Sequence, residues 1–370
     1  MNITKLFNDN LNYWENKRWR NRDILNYIRQ FMNKKFLILV IINKNGVRYV
    51  SNTHRERANI IKKFINDIRN KYPNLEVSFL LNLDDEIFDT DIEIHDLREN
   101  KNDNPMSHQF KWGVSLQSED IIRIERSKLT KINFPIFTLN KNQDESIVFP
   151  HPNLLKNHFS TDNIKFKDKE NKVPIYRFSN ARANLFMPSR IKLVELSYQN
   201  PNIIDCKGGN KEVHKGHGDY VLRKGFIKLY KHLQIINNDI NENEFLEYFH
   251  IKNYIEKEKL KDYKYLITND SWYNLVDYAL YNSVIFRYKL DKAKYYEDFI
   301  LEDNNDIILF DEHNYREKYN YVINNEAKME EMIESRKQKV ANYLKYNKLV
   351  EHYGKLLIAY SKIQKINEIR

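Results

Sequence analysis

"KFLILVIINKNGVRYVSNTHRERANIIKKFINDIRNKYPNLEVSFLLNLDD", residues 35–85, decides the fold class. It opens on "KFLILVII", an apolar run of strand length bounded by the turn signal Asn45-Gly46, and "VRYV" follows the turn. "SNTHRERANIIKKFINDIRNKY" begins with capping residue types and continues with apolar residues at helical spacing. "LEVSFLLNL" is again a strand, and it runs into the acidic cluster Asp84-Asp85-Glu86. Strand, helix, strand predicts a βαβ unit and therefore a mainly parallel sheet.

The same logic extends in both directions. Upstream, residues 10–33 place Trp14, Ile24, Leu25, Ile28 and Phe31 on or near one helical face. Downstream, "FPIFTLN" (134–140) reads as a strand, and the charged stretch "DNIKFKDKENK" (162–172) as a domain boundary. Beyond it the expected strands are "VPIYRFS", "NIIDC", "YKYLIT", "SVIFRY" and "DIILF". Helices are expected near 187–199, 218–234, 242–257, 272–281, 295–301, 325–345 and 348–365. The resulting division is an N-terminal Rossmann-like domain (1–165), a C-terminal one (166–345) and a final helix (346–370) bridging back to the first. Two Rossmann-like α/β domains facing a central cleft make the GT-B arrangement. Ligands in such sheets bind beyond the carboxyl ends of the strands, where Asp85 and Arg177 both fall.

At 370 residues, 41% hydrophobic and 30% charged, the chain is long enough for two cores and is composed like a globular protein. Its single cysteine, Cys206, excludes an intrachain disulfide and a thiolate metal cluster. No signal peptide or bilayer-length apolar run is read, so a cytoplasmic location is expected. The net charge of +10 resides in residues 1–70, which hold fifteen Lys or Arg against five Asp or Glu. The other 300 residues carry 46 of each sign. That asymmetry raises a nucleic-acid or anionic-surface partner, with Trp14 and Trp19 as possible stacking rings. Its alternative is a solvated basic face with aromatics used for packing, and nucleic acid is the less favoured partner.

Several segments resemble glycosyltransferase family 90, the protein O-glucosyltransferase and capsule-associated xylosyltransferase group. "PIFTLNKNQDESIVFP" is similar to the family's Pro-x-Phe-Ser-x-Ser-Lys segment leading to Tyr-Pro. "IYRFSNAR" sits where the family has Phe-Arg-Gly-Ser, and "RIKLVELSYQNPNIIDC" resembles its Arg-x-x-Leu, Asn-Pro and Asp stretch. "YKYLITNDSW", "NSVIFRY" and "YYEDFI" resemble three later segments, and the resemblance runs from about 75 to 365. It implies an inverting, metal-independent transfer of a hexose or pentose, glucose or xylose favoured, from a UDP-sugar to a glycan or protein hydroxyl. No cofactor or metal is implied. Asp85 takes the place of the catalytic aspartate, and Arg177 and Ser179 fall on donor-diphosphate positions. Asn180, Arg182, Asp270, Arg287 and Glu297 complete the expected donor site. Two departures stand out: Phe178 replaces a family glycine, and the arginine expected near Asn274 is missing. Arg287 or Arg182 could supply the missing charge.

The chemistry asks little of the chain. An inverting displacement needs one base within reach of the acceptor hydroxyl. Asp85 qualifies, and Asp84 and Glu86 beside it would make it more basic through like-charge repulsion. Its alternative role is an acidic cap. A departing UDP needs positive charge, and an arginine fork matches phosphate oxygens in pairs. Arg177 therefore reads as a diphosphate ligand or, alternatively, as a strand-end surface arginine. Asp89-Thr90-Asp91 forms a D-x-D pattern, which binds a divalent metal in another glycosyltransferase fold but arises readily by chance among 51 acidic residues, and His214 and His217 lie in a glycine-rich stretch with no third ligand evident. Glu297 and Asp298 could meet a ribose or cap a helix.

Overall fold

The computed structural model describes residues 10–31, 37–51, 55–83, 93–96, 122–125, 134–141, 146–156, 159–170, 172–178, 188–209, 227, 230–231, 234–269, 275–289 and 294–368. The chain is α/β, with one five-stranded sheet in each half. The first sheet contains β1 (Leu37–Asn43), β2 (Gly46–Ser51), β3 (Val77–Asn82), β6 (Ile136–Thr138) and β8 (Ser146–Val148), in the order β2-β1-β3-β6-β8. Between β3 and β6 in sequence, β4 (Glu93–Asp96) and β5 (Ile122–Glu125) form a separate antiparallel pair.

The expected βαβ unit is present, but its parallel partners differ from the expected ones. β1 is antiparallel to both β2 and β3. The Asn45-Gly46 turn, with Gly46 at φ +126, folds β2 back onto β1 as a hairpin. Helix α2 (Arg55–Lys71) then returns the chain to β3, on the other side of β1. The crossover thus links β2 to β3 with β1 between them. Only β3, β6 and β8 pair in parallel, so the first sheet is mixed. Helix α1 (Asn21–Phe31) is shorter than the expected 10–33 helix, because the chain leaves helical geometry at 16–20.

The second sheet is parallel throughout; four of its strands lie inside expected segments, and the fifth, at Asp205–Gly208, begins at the end of the expected 202–206 and runs past it. The five are β9 (Ile175–Phe178), β10 (Asp205–Gly208), β11 (Tyr265–Thr268), β12 (Val284–Tyr288) and β14 (Ile308–Phe310). Alternation divides their side chains between two cores. Tyr176, Phe178, Tyr265, Ile267, Phe286 and Phe310 face one core with residues of α3 (Pro188–Gln199), α4 (Tyr315–Ile323) and α5 (Glu326–Lys339). Ile175, Leu266, Ile285 and Ile307 join the other, which is continuous with the core of the first half. The expected 242–257 helix is instead a helix at Glu242–Glu247 followed by 3-10 turns at Ile251–Asn253 and Lys257–Asp262. Helix α4 is not among the expected helices.

The charged stretch read as a domain boundary, 162–172, has buried side chains among its described residues. Lys169 Nζ lies 2.6 Å from Asp162 Oδ2, and both side chains are wholly buried. Asp162 also accepts from Asn282 N at 2.7 Å. Polar and charged residues surround the aromatic anchor Phe166, which is buried against the second core. The final helix α6 (Tyr346–Glu368) follows a π-helical turn at Val340–Leu344 and packs on the first half. Tyr353 Oη donates to Val148 O at 3.1 Å, and Tyr72 Oη donates to Glu351 O at 3.1 Å. The Gln364 carboxamide pairs with both backbone groups of Ser78, N–H at 2.9 Å and C=O at 2.8 Å. It thereby satisfies the part of β3 that extends beyond β6.

Candidate functional site

The second sheet has the strand order β10-β9-β11-β12-β14. Numbered within that half, this is 2-1-3-4-5, the doubly wound order in which the chain reverses direction of travel between its first and third strands. The switch point lies between β9 and β11. Connections leaving adjacent strands there go to opposite faces, which opens a crevice at their carboxyl ends. A chain of side chains crosses this point. Tyr176 Oη, from β9, donates to Asn269 Oδ1, just past β11. Asn269 Nδ2 donates to Ser189 Oγ, in the first turn of α3, at 3.2 Å. Tyr176 and Asn269 are both buried. The start of α3 is therefore tied to the two strands that flank the switch point.

Ser179, Asn180, Arg182 and Asp270 lie outside the described residues, as does Asp85. In the chain, 179–187 connects β9 to α3, and 270–274 leaves β11. These are the two connections from the switch-point strands. Asp85 follows the carboxyl end of β3 by three residues. At that end Arg57 Nη1 donates to Leu83 O at 3.0 Å. Asp89, Asp91, His214 and His217 are also outside the described residues. Among the described residues, no group of three or more His, Cys, Asp or Glu could hold a metal ion.

Three of the expected donor ligands are described, and each is engaged within the chain. Arg177 does not project beyond β9. Its guanidinium turns back across β10, where Nη1 donates to Asp205 O at 2.7 Å and Nη2 pairs with the Asp205 carboxylate. Burial works to raise the Asp205 carboxyl, but Arg177 and Lys207 outweigh it and hold it below the usual carboxylate range. Arg287, near the end of β12, is buried and forms a fork with Asp298, with Nη2 donating to Oδ2 at 2.9 Å. Asp298 belongs to the 3-10 turn Tyr296–Phe299, so Arg287 holds that turn against the strand end. Glu297 in the same turn is 1% exposed. These positions correct the expectation that Arg177 points into a cleft and that Arg287 is a spare charge.

The turn at 296–299 also connects the two halves. It is preceded by β13 (Lys294–Tyr295), which pairs antiparallel with β7 (Asn140–Lys141). β7 follows β6 after one residue, Leu139. The ladder thus joins the carboxyl edge of the first sheet to a turn fixed on the carboxyl edge of the second. Both edges bearing the expected site residues lie on one side of the molecule.

Other residues at this edge are not among the expected ones. Arg190, in the first turn of α3, is buried, with its guanidinium carbon 5.6 Å from the centre of the Phe178 ring. Lys192 Nζ lies 3.0 Å from Glu312 Oε1, and the same carboxylate accepts from Tyr288 Oη at the end of β12. Burial raises the Glu312 carboxyl, but Tyr288 and Lys192 reverse the effect and hold it low. Arg190 begins the segment that resembles the family's Arg-x-x-Leu, which is the sequence signal for it. Gly209 has a packing duty: a Cβ there would meet Tyr254 N at 2.5 Å, so the glycine lets two backbones approach. Trp14 and Trp19 are buried, in edge contact with each other, and Trp19 stacks on Tyr360 of α6. They are core rings and offer no face to a base.

No family model matches the chain, and no curated protein matches it. Among solved structures it is similar to the crystal structure of TarM, with a TM-score of 0.32 and 14% identity over 60% of this chain and 39% of that one. A TarM mutant from S. aureus, solved in complex with fondaparinux, alpha-GlcNAc-glycerol and UDP, aligns at 0.28 with 12% identity, over 60% and 43%. The apo structure of OtsA aligns at 0.26 with 10% identity, over 52% and 44%. The alignment spans about two fifths of each of those chains. Among the described residues, no helix is long and apolar enough to cross a membrane.

Proposed function

We propose that the chain is a glycosyltransferase of GT-B type, transferring a hexose or pentose from a UDP-sugar to a hydroxyl of a glycan or protein. The transfer is inverting and uses no metal. The observation that carries this reading is the geometry of the two carboxyl edges. A parallel sheet in 2-1-3-4-5 order has its switch point on the side where the β7–β13 ladder joins the first sheet. In this reading the donor nucleotide lies beyond β9 and β11, contacted by residues of 179–187 and by Asp270. Asp85, following β3 on the facing edge, takes the acceptor proton. Arg287 acts by holding the 296–299 turn rather than by touching phosphate.

A second reading has its own support. Arg177 and Arg287, two of the cations expected to face a leaving diphosphate, are paired with Asp205 and Asp298. A fold that retains the nucleotide site without the chemistry would look the same there. One experiment separates the readings. Thermal melting with UDP, UDP-glucose, UDP-xylose, UDP-galactose and UDP-N-acetylglucosamine, in EDTA, identifies the donor. A ligand at about 100 times its dissociation constant adds roughly 2.7 kcal/mol, a shift of a few degrees. Asp85→Asn is then compared with the wild type for hydrolysis or transfer of that donor. The enzyme reading expects a rate loss of about 100-fold or more with donor binding retained. An unchanged rate favours the scaffold, and no shift with any uridine nucleotide rejects both.

A further inference from the structure

The proposed function makes no use of the basic charge of residues 1–70, yet the fold gathers part of that charge in one place. Helix α1 packs at the amino end of the parallel strands of the first sheet, where the Tyr27 ring lies 5.3 Å from that of Phe134, two residues before β6. The β1–β2 turn reaches the same end, because Ile42 near the end of β1 pairs with Val77 at the start of β3. Lys44 is in that turn, and Arg69 of α2 donates to Asn43 O at 3.3 Å and to Lys44 O at 3.4 Å. The carboxyl edge that leads to Asp85 is at the opposite end of these strands.

The outward face of α1 is basic. Ile24, Tyr27 and Ile28 turn toward the first core. That leaves Arg22, Leu25, Asn26 and Arg29, three, four and seven residues on, exposed on the other side. The helix has one acid, Asp23, and it is paired with Arg20 at 3.1 Å. Among the described residues, Arg22 and Arg29 have no acidic partner. Leu25 stands between them and, at 50%, is the most exposed large apolar side chain among the described residues. Against Arg22, Arg29, Lys44 and Arg69, the start of β3 adds one exposed acid, Glu76.

Exposed charges contribute little to a specific site. A lipid surface asks for less: several cations on one face, each near the plane of the headgroups. An apolar side chain among them can enter the interface, as leucine does in surface-bound helices. A single-stranded nucleic acid offers the same phosphate chemistry but is held by rings stacked on its bases, and Trp14 and Trp19 are buried. We propose that the amino end of the first sheet, with the outer face of α1 at its centre, docks on an anionic lipid surface. The attachment is peripheral, because the apolar face of α1 stays in the core. It leaves the carboxyl edge of the sheet uncovered, and it does not depend on the reading of the chain as a transferase.

The test is co-sedimentation of the full chain with vesicles of phosphatidylcholine, alone or mixed in equal parts with phosphatidylglycerol. The wild type is expected to bind the mixed vesicles, to ignore those of phosphatidylcholine alone, and to bind less as salt is raised. Each basic residue at an anionic surface strengthens binding about fivefold, so Arg22→Gln/Arg29→Gln should weaken it about 25-fold. Glutamine keeps the helix propensity of arginine, so the fold is retained. Leu25→Ser should weaken binding by less and leave its salt dependence unchanged. Lys167→Gln/Lys259→Gln removes the same charge from exposed positions in the second half and should bind as the wild type does. A wild type with no preference for the anionic vesicles overturns the proposal. So does an equal loss in the two double variants, which would trace the attraction to net charge alone. Binding of an RNA or DNA oligonucleotide that requires Arg22 and Arg29, without binding to vesicles, overturns it in favour of a nucleic acid.

Discussion

The two halves place their charge in opposite ways. Residues 1–70 carry the whole net charge of +10, and their described charged residues stay at the surface. The buried polar residues of the first half are neutral types such as Asn10, Asn82, Thr138 and Ser146, together with His151. The rest of the chain balances its charges, yet among the described residues it contains the buried Lys, Arg, Asp and Glu: Lys169, Arg190, Lys264, Asp277, Arg287, Glu297, Asp306 and Arg336, together with the buried side chain of Asp162. Overall charge points to the N-terminal region as the anion-binding part. The buried cations are in the other half, where the doubly wound sheet has its switch point. A surface charge counts little toward a specific site, whereas a desolvated one must be matched.

The largest test of this contrast is Arg336. Its side chain is wholly buried and donates to four carbonyls: Ala279 O at 3.0 Å, Tyr281 O at 2.6 Å, Ser283 O at 2.9 Å and Asp306 O at 3.4 Å. Burial pulls its pKa down to about 10, so it remains charged at neutral pH. The neighbouring Asp306 carboxylate accepts from Ser335 Oγ at 2.8 Å and from Lys339 Nζ at 2.7 Å. This network ties α5 to the turns before β12 and β14. Arg336→Met leaves several buried carbonyls unmatched, and we expect a loss of about 3–5 kcal/mol in urea denaturation. An exposed arginine of the first half, Arg48, serves as control: Arg48→Met should change stability by less than about 0.5 kcal/mol. Equal losses for the two would erase the distinction between the halves.

The next effect concerns how α6 is held. Its contacts with the first half combine apolar packing, hydrogen bonds of Tyr72, Tyr353 and Tyr346, the last to the Asp67 carboxylate, and the Lys71–Glu351 ion pair, with Tyr72 packed directly over Gly354. A Cβ at Gly354 would stand 2.1 Å from Tyr72 Cε2. Gly354→Ala therefore gains helix propensity but forces the ring aside, and the overpacking should win by about 1–3 kcal/mol. Melting of Gly354→Ala alone and combined with Tyr72→Leu checks the cause. The double variant should recover part of the loss, and a double variant no better than the single one would place the strain elsewhere.

Much of this arrangement is legible in the amino-acid sequence alone. Four strands of the second sheet fall inside the expected segments, because each is a short apolar run closed by polar or turn residues, whereas β10, Asp205–Gly208, begins at the end of the expected 202–206 and runs past it. Helices α2, α3 and α6 are legible from their periodicity. The partner of β1 is not, since a strand's own pattern does not specify which edge it takes; the hairpin at Gly46 gives β1 an antiparallel neighbour on one side, and β3 docks on the other. The packing of the 162–170 segment is not legible, because the pairing of Lys169 with Asp162 depends on burial, which composition does not reveal. Arg177 is legible as a strand-end arginine but not in its direction. Its partner Asp205 lies 28 residues later, and the register that brings them together is a property of the sheet. Arg190 is legible as the start of the Arg-x-x-Leu segment, but its placement over the Phe178 ring is not, because that contact joins residues 12 apart in the chain.

The smallest expected effect is a pH dependence, and it tests whether the first half's neutral interior extends to the buried histidine of α6. His352 is buried beside the Tyr343 ring, at 5.7 Å between centroids. Burial lowers its pKa, Glu351 opposes this, and Lys355, Lys348 and Lys71 reinforce it. The folded state therefore holds His352 neutral at pH values where the unfolded chain begins to protonate it. In that window the unfolded state binds more protons, so stability rises with pH. The contribution is complete above the ordinary histidine value of about 6.5 and declines as pH falls toward the lowered folded value. His352→Gln, which keeps hydrogen-bonding capacity and cannot charge, should flatten the stability profile between about pH 7 and 5. Denaturation at several pH values reads this directly. A profile with the same slope in both proteins would assign the acid sensitivity to other groups. A variant flat in pH but unchanged in stability at pH 8 would show that the half with the charged surface depends on keeping this one interior group neutral.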